Sequence, residues 1–175
     1  KKTVFYLWAP FAENVDLILE GKPKKMERGE KGVFKAVVSG NHEGCLYHFA
    51  VTNFGLREEV PDPYSLALNH LKNESIVLDR KKLTPTKIYL EPVLDPIIYE
   101  GHVVDLTTSQ SLPSPFRGKF AGMAYQEGKL GYVSPLIEHI ARLWVTHLQL
   151  QPIADCASHY PYNWGYDPGF YFVPE

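Results

Sequence analysis

Four carboxylates invite a test for hydrolytic chemistry: Glu100 and Asp105 in one apolar stretch, Asp155 and Asp167 further along. A retaining glycosidase holds its nucleophile and its acid/base roughly 5–5.5 Å apart. Glu100 and Asp105 differ in parity, so on the strand that their surroundings predict they face opposite ways. Asp155 and Asp167 fall in predicted loops, and nothing in their spacing sets them face to face. Ion pairs or loop hydrogen bonds are the expected roles for all four. Metal chemistry has as little support. Cys45 and Cys156 lie far apart with no ligand-type spacing, His139 and His147 straddle a predicted helix–strand break, and no Asp-rich loop demands calcium. Aromatic residues make up 13% of the chain, which suits a protein that stacks sugars and equally suits a β-rich core.

The elements that must carry these residues come from one chain of 175 residues, room for one ordinary domain or one small domain and part of another. At 45% hydrophobic and 22% charged it has enough apolar surface to fold, which excludes a disordered tail. No apolar run approaches the roughly 20 residues of a membrane span. The formal charge of -2 points to neither a nucleic-acid nor a membrane partner. Lys1 is followed by no apolar leader, so no signal peptide is expected in this piece, and a bacterial cytoplasmic location is favoured. A start at Lys1 and an end at Val173-Pro174-Glu175 read as a piece cut from a longer polypeptide. The sequon Asn73-Glu74-Ser75 would matter only in a secreted eukaryotic protein.

The first half reads as all-β. Strands are predicted over Thr3–Trp8, Val15–Leu19, Val33–Val38, Leu46–Thr52 and Leu56–Val60, separated by Gly, Pro and Asn signals. Lys22 to Lys25, with Pro23, reads as a solvated turn. Trp8, in an alternating strand, is expected to pack in the core. Short strands at this spacing predict an antiparallel, immunoglobulin-like sandwich over residues 1–84. Pro61 to Pro96 is polar and proline-rich and reads as a crossing segment, with the linker proper at 85–96.

From residue 97 the period changes. Ile97 to Asp105 is a near-continuous apolar run, typical of a parallel strand buried on both faces. After a long loop, Ser134-Pro135 starts a helix as cap and first residue, with Leu136, Ile137, Ile140, Ala141 and Leu143 on its apolar face. Val145 to Leu150 follows as a second strand. His102 and His147, on these strands, are expected to be buried and hydrogen-bonded. Strand, loop, helix, strand is the opening of a (β/α)8 barrel, which needs roughly 250 residues. Residues 97–175 therefore form only its first units, and their unclosed edges predict poor stability for this half.

The heptapeptide Tyr162-Asn163-Trp164-Gly165-Tyr166-Asp167-Pro168 resembles the signature of type I pullulanases, starch-debranching members of the α-amylase superfamily of glycoside hydrolases. Other stretches agree in order. Tyr6-Leu7-Trp8-Ala9-Pro10 is similar to the start of their glycogen- or starch-binding-like sandwich, and Asp62-Pro63-Tyr64-Ser65 to its end. Ile98-Tyr99-Glu100 with His102 and Asp105 resembles the first barrel strand, and Val145 to Leu150 with Pro152 the second. The resemblance implies hydrolysis of α-1,6-glucosidic branches in pullulan, starch or glycogen by the full-length enzyme. It puts the reactive carboxyls on later barrel strands, so this piece alone is expected to be inactive. It implies that Tyr166 stacks under a glucose ring, that Asp167 bonds sugar hydroxyls or fixes loops, and that Asn163 and Trp164 line or buttress the pocket. An α-glucan is the implied partner, no cofactor is needed, and calcium is allowed in the full-length parent. A non-catalytic glucan-binding piece, a branching enzyme or an isoamylase share parts of this layout. Val104, Trp144, Gln151, Cys156 and Gly169 depart from the family's usual residues. Trp144 replaces a glycine suited to a left-handed helix end and is expected to be strained there.

Overall fold

The computed structural model describes residues 1–69, 73–83, 89–126, 129–130, 135–156 and 163–174. The chain divides into two compact units, one of residues 1–86 with 169–175, the other of residues 87–168.

Up to residue 86, the described residues of the first unit hold nine strands: β1 Lys2–Trp8, β2 Asn14–Leu19, β3 Lys22–Lys25, β4 Glu27–Arg28, β5 Val33–Ser39, β6 Leu46–Asn53, β7 Leu56–Val60, β8 Leu68–Asn69 and β9 Glu74–Ile76. One sheet runs β1-β5-β4; the other runs β3-β2-β6-β9-β8, with β7 also paired to β6. Every pairing in them is antiparallel. Alternation sets the inner faces: Phe5 and Leu7 of β1 and Phe34 and Ala36 of β5 meet Val15, Leu17 and Leu19 of β2 and Tyr47 and Phe49 of β6 in one core. The hairpins are tight. Phe54 and Gly55, both at positive φ, close β6 on β7, and Glu20 and Gly21 do the same for β2 and β3, the two-residue turn whose twist matches that of the strands.

Three expectations fail here. Lys22–Lys25 is a strand, not a turn; an edge ladder asks only for backbone, and Pro23 is tolerated at an edge. Residues 68–69 and 74–76 are strands of the larger sheet, so the crossing segment begins later than Pro61. Trp8 is 62% exposed, because parity places it with Val4 and Tyr6 on the face opposite Phe5 and Leu7.

The second unit opens with β10 Ile98–Gly101, followed by α1 Val103–Thr107, α2 Phe120–Met123, the ribbon β11 Tyr125–Gln126 and β12 Lys129–Leu130, α3 Pro135–Arg142 and β13 His147–Leu150. β10 and β13 pair in parallel, from Ile98 opposite His147 to Gly101 opposite Leu150, so the chain returns through helices as a parallel pair requires. β14 Ala154–Cys156 follows in this unit, and β15 Pro168–Pro174 belongs from Gly169 onward to the first unit. Pro135 opens α3 as expected, whereas its cap Ser134 lies outside the described residues.

The predicted strand to Asp105 stops at Gly101. His102 caps α1 instead, its Nδ1 accepting from the Val104 amide at 3.2 Å, and Asp105 rides on that helix. His102 is thus buried and bonded, though not on a strand; His147 is exposed. Burial on both faces is not found either: Ile97 and Ile98 are more than half exposed. Among the described residues β10 and β13 form a ribbon of two strands, too narrow to cover its own faces. Trp144, just past α3, has φ 61, the left-handed conformation expected from the glycine it replaces, and its side chain is almost fully exposed. That conformation costs a residue with a Cβ roughly 1–2 kcal/mol.

Candidate functional site

Residues 163–167 form a small loop tied at its base. The Asn163 side chain does both jobs: its Oδ1 accepts from the Gly165 amide at 2.6 Å, an Asx-type turn, and its Nδ2 donates to Asp167 Oδ1 at 2.7 Å. Gly165 is buried at φ 85, and a Cβ there would stand 2.4 Å from the Pro152 carbonyl oxygen. Only glycine lets the loop sit on Pro152, two residues past the end of β13. With the base held, the rings on either side of Gly165 face outward: Trp164 is 56% and Tyr166 67% exposed. Two aromatic faces on a braced turn, beside a carboxylate and a carboxamide, are suited to a flat, hydroxyl-rich ligand. Tyr162, the first residue of the heptapeptide, lies outside the described residues.

The carboxylates divide as their elements dictate. Asp167 bonds Asn163. Asp155 is buried on β14, a strand rather than the predicted loop. Glu100 takes Gln149 Nε2 at 3.1 Å and Gln151 Nε2 at 3.5 Å, and the buried Gln151 Oε1 has no hydrogen-bond partner among the described residues. This Glu–Gln cluster escaped the sequence reading. Its signal was register: Glu100 lies directly opposite Gln149 in the parallel ladder. Among the described residues no group of His, Cys, Asp and Glu side chains is arranged to hold a metal ion.

Comparison with known proteins gives the class first. Residues 1–65 match the family model for carbohydrate-binding module 48, the isoamylase N-terminal domain. The remainder is accounted for by whole-chain relatives. A pullulanase of Bacillus subtilis (strain 168) is 32% identical over 188 residues, covering 99% of this chain and 26% of the relative. The solved pullulanase from Bacillus acidopullulyticus superposes with a TM-score of 0.84 at 31% identity, over 99% of this chain and 24% of its own. The pullulanase from Anoxybacillus sp. LM18-11, solved in complex with maltotetraose, also gives 0.84, at 28% identity over 99% of this chain and 28% of its own. The chain is therefore pullulanase-like over nearly its whole length, resembling their N-terminal part with its β-sandwich, and it spans about a quarter of the length of that curated relative.

Proposed function

We propose that this chain forms the front of a retaining glycoside hydrolase that cleaves α-1,6-glucosidic branches in pullulan, starch or glycogen. In this reading residues 1–65 are its glucan-binding module, and β10, α3 and β13 are the first units of its (β/α)8 barrel. The loop 163–167 is one wall of the glucose pocket, standing after β13 on the strand-end side where barrel enzymes place their sites. Tyr166 stacks on a glucosyl ring, where an electron-rich face favours developing positive charge. Trp164 extends that wall, and Asn163 and Asp167 fix the turn that presents both rings. The two reacting carboxyls come from polypeptide beyond these residues.

The carrying observation is the pair of exposed rings on a turn braced by Gly165 and the Asn163–Asp167 bond. The maltotetraose complex of the Anoxybacillus relative supports the ligand class. The test joins this chain to the remaining length of the B. subtilis relative and measures pullulan hydrolysis. The joined enzyme should release reducing sugar, and Tyr166→Ala should lower kcat/KM by roughly tenfold or more, equivalent to about 1.4 kcal/mol. An unchanged kcat/KM would remove Tyr166 from the pocket. Reducing sugar released by this chain alone would refute the assignment of the carboxyls to other polypeptide.

A further inference from the structure

We infer that the sandwich carries an α-glucan cleft of its own, along the free edge of β1 and built wholly from the first unit. The inference rests on the reading of residues 1–65 as a carbohydrate-binding module and names where that module holds its ligand.

The cleft has a volume of about 750 Å³. Pockets of roughly 300–1,000 Å³ hold small organic ligands, so a short oligosaccharide fits. Consecutive residues Thr3 to Tyr6 line one side. Since β1 pairs only with β5 among the described strands, every second N–H and C=O along that side lacks a ladder partner. Three aromatic rings border it: Tyr6, Trp8 and Tyr64 are 57%, 62% and 58% exposed. Asp62 and Arg80 supply charge of both signs. A row of exposed rings beside polar groups and open backbone suits a neutral polyol with flat C–H faces, and Asp62 disfavours a phosphorylated ligand.

The rings are held before any ligand arrives, which lowers the ordering cost of binding. Trp8 Nε1 donates to the Lys31 carbonyl at 3.1 Å. The Lys35 ammonium lies 5.7 Å from the Tyr6 ring centre. Tyr64 stacks on Phe172 at 5.7 Å, and its amide donates to Asp62 Oδ1 at 2.8 Å. Asp62 is anchored in turn: its Oδ2 accepts from the Tyr47 hydroxyl at 2.7 Å and its amide donates to Ser75 Oγ at 2.9 Å. Burial first, and the Asp62 charge next, push the Tyr47 phenol well above its usual range, so it stays a donor well into alkaline pH. Each Asp62 oxygen keeps a lone pair for a sugar hydroxyl.

The test is calorimetric titration of this chain with maltoheptaose. Trp8→Ala and Tyr6→Ala should each weaken binding about tenfold, while urea unfolding shows that both variants remain folded at the temperature of the titration. In the Trp144→Phe/Trp164→Phe double variant, where Trp8 is the remaining indole, sugar should shift its emission. If the wild type binds and the Trp8 and Tyr6 variants bind as well as it does, this cleft is overturned, and loss of that binding in Tyr166→Ala would place the sugar on the loop 163–167 instead. If the wild type binds no maltoheptaose at millimolar concentration, the module reading fails and the cleft with it.

Discussion

The two units answer the same hydrophobic demand with different success. In the sandwich two antiparallel sheets face each other, and each covers the other's inner face: Phe34, Phe49, Leu17 and Val15 are almost wholly shielded from solvent. In the second unit the parallel pair β10–β13 is closed only after a long crossover, and Ile97, Ile98 and Tyr99 remain open to water. Two facing sheets close a core between them. The parallel pair β10–β13 is two strands wide among the described residues and has no second sheet to cover it. Apolar residues on that ribbon stay open to water, whereas those inside the sandwich already stabilise it.

The sharpest way to break this contrast is truncation in both units. Phe49→Ala should cost about 3–5 kcal/mol in urea unfolding, the usual loss for a buried ring. Ile98→Ala on the exposed ribbon should stay within about 0.5 kcal/mol. Equal losses would mean that the ribbon is packed after all. Next comes Gly165→Ala, which forces a Cβ against the Pro152 carbonyl at positive φ; a cost of about 1–3 kcal/mol is expected, read as lost amide protection across 163–167. In the sandwich, Tyr47→Phe removes a hydrogen bond to a carboxylate and should cost about 1.5 kcal/mol at neutral pH. It also changes the alkaline limb. The folded phenol titrates above the unfolded one, so its contribution is complete below pH about 10 and is lost as pH rises beyond that, when only the unfolded chain releases the proton. The Phe variant should lack that slope in a urea–pH series. The smallest effect is a gain. Trp144→Gly relieves the left-handed residue after α3 and should stabilise the second unit by about 0.5–1 kcal/mol after the added chain entropy of glycine is subtracted, read as a higher melting temperature.

What could be read from the sequence follows from where the signal was local. The strands β1, β2, β5, β6 and β7 were legible almost to the residue, from their β-branched and aromatic content and the Gly, Pro and Asn signals between them. β3 carries no apolar residue at all, and its pairing is a matter of backbone and of the Glu20-Gly21 turn. β8 and β9 are too short to show a period. Alternation also fixes parity but not which parity faces in, which is why Trp8 was assigned to the core. The apolar run through Val103 and Val104 looks like a continuing strand; in the fold it starts a helix that His102 caps, its Nδ1 accepting from the Val104 amide. In the loop, Asn163-Trp164-Gly165 reads as an Asx turn ending in glycine, so its form was accessible. The bond from Asn163 to Asp167, and the seat on Pro152, required the third dimension.

The account turns on whether the rings of Trp164 and Tyr166 meet sugar. The most direct measurement is an NMR titration of the nitrogen-labelled chain with maltotetraose, following the Trp164 indole N–H and the amides of Gly165, Tyr166 and Asp167. The account predicts saturable shifts at these groups that vanish in Tyr166→Ala. A loop that stays silent while the sugar shifts amides only in the sandwich would contradict it.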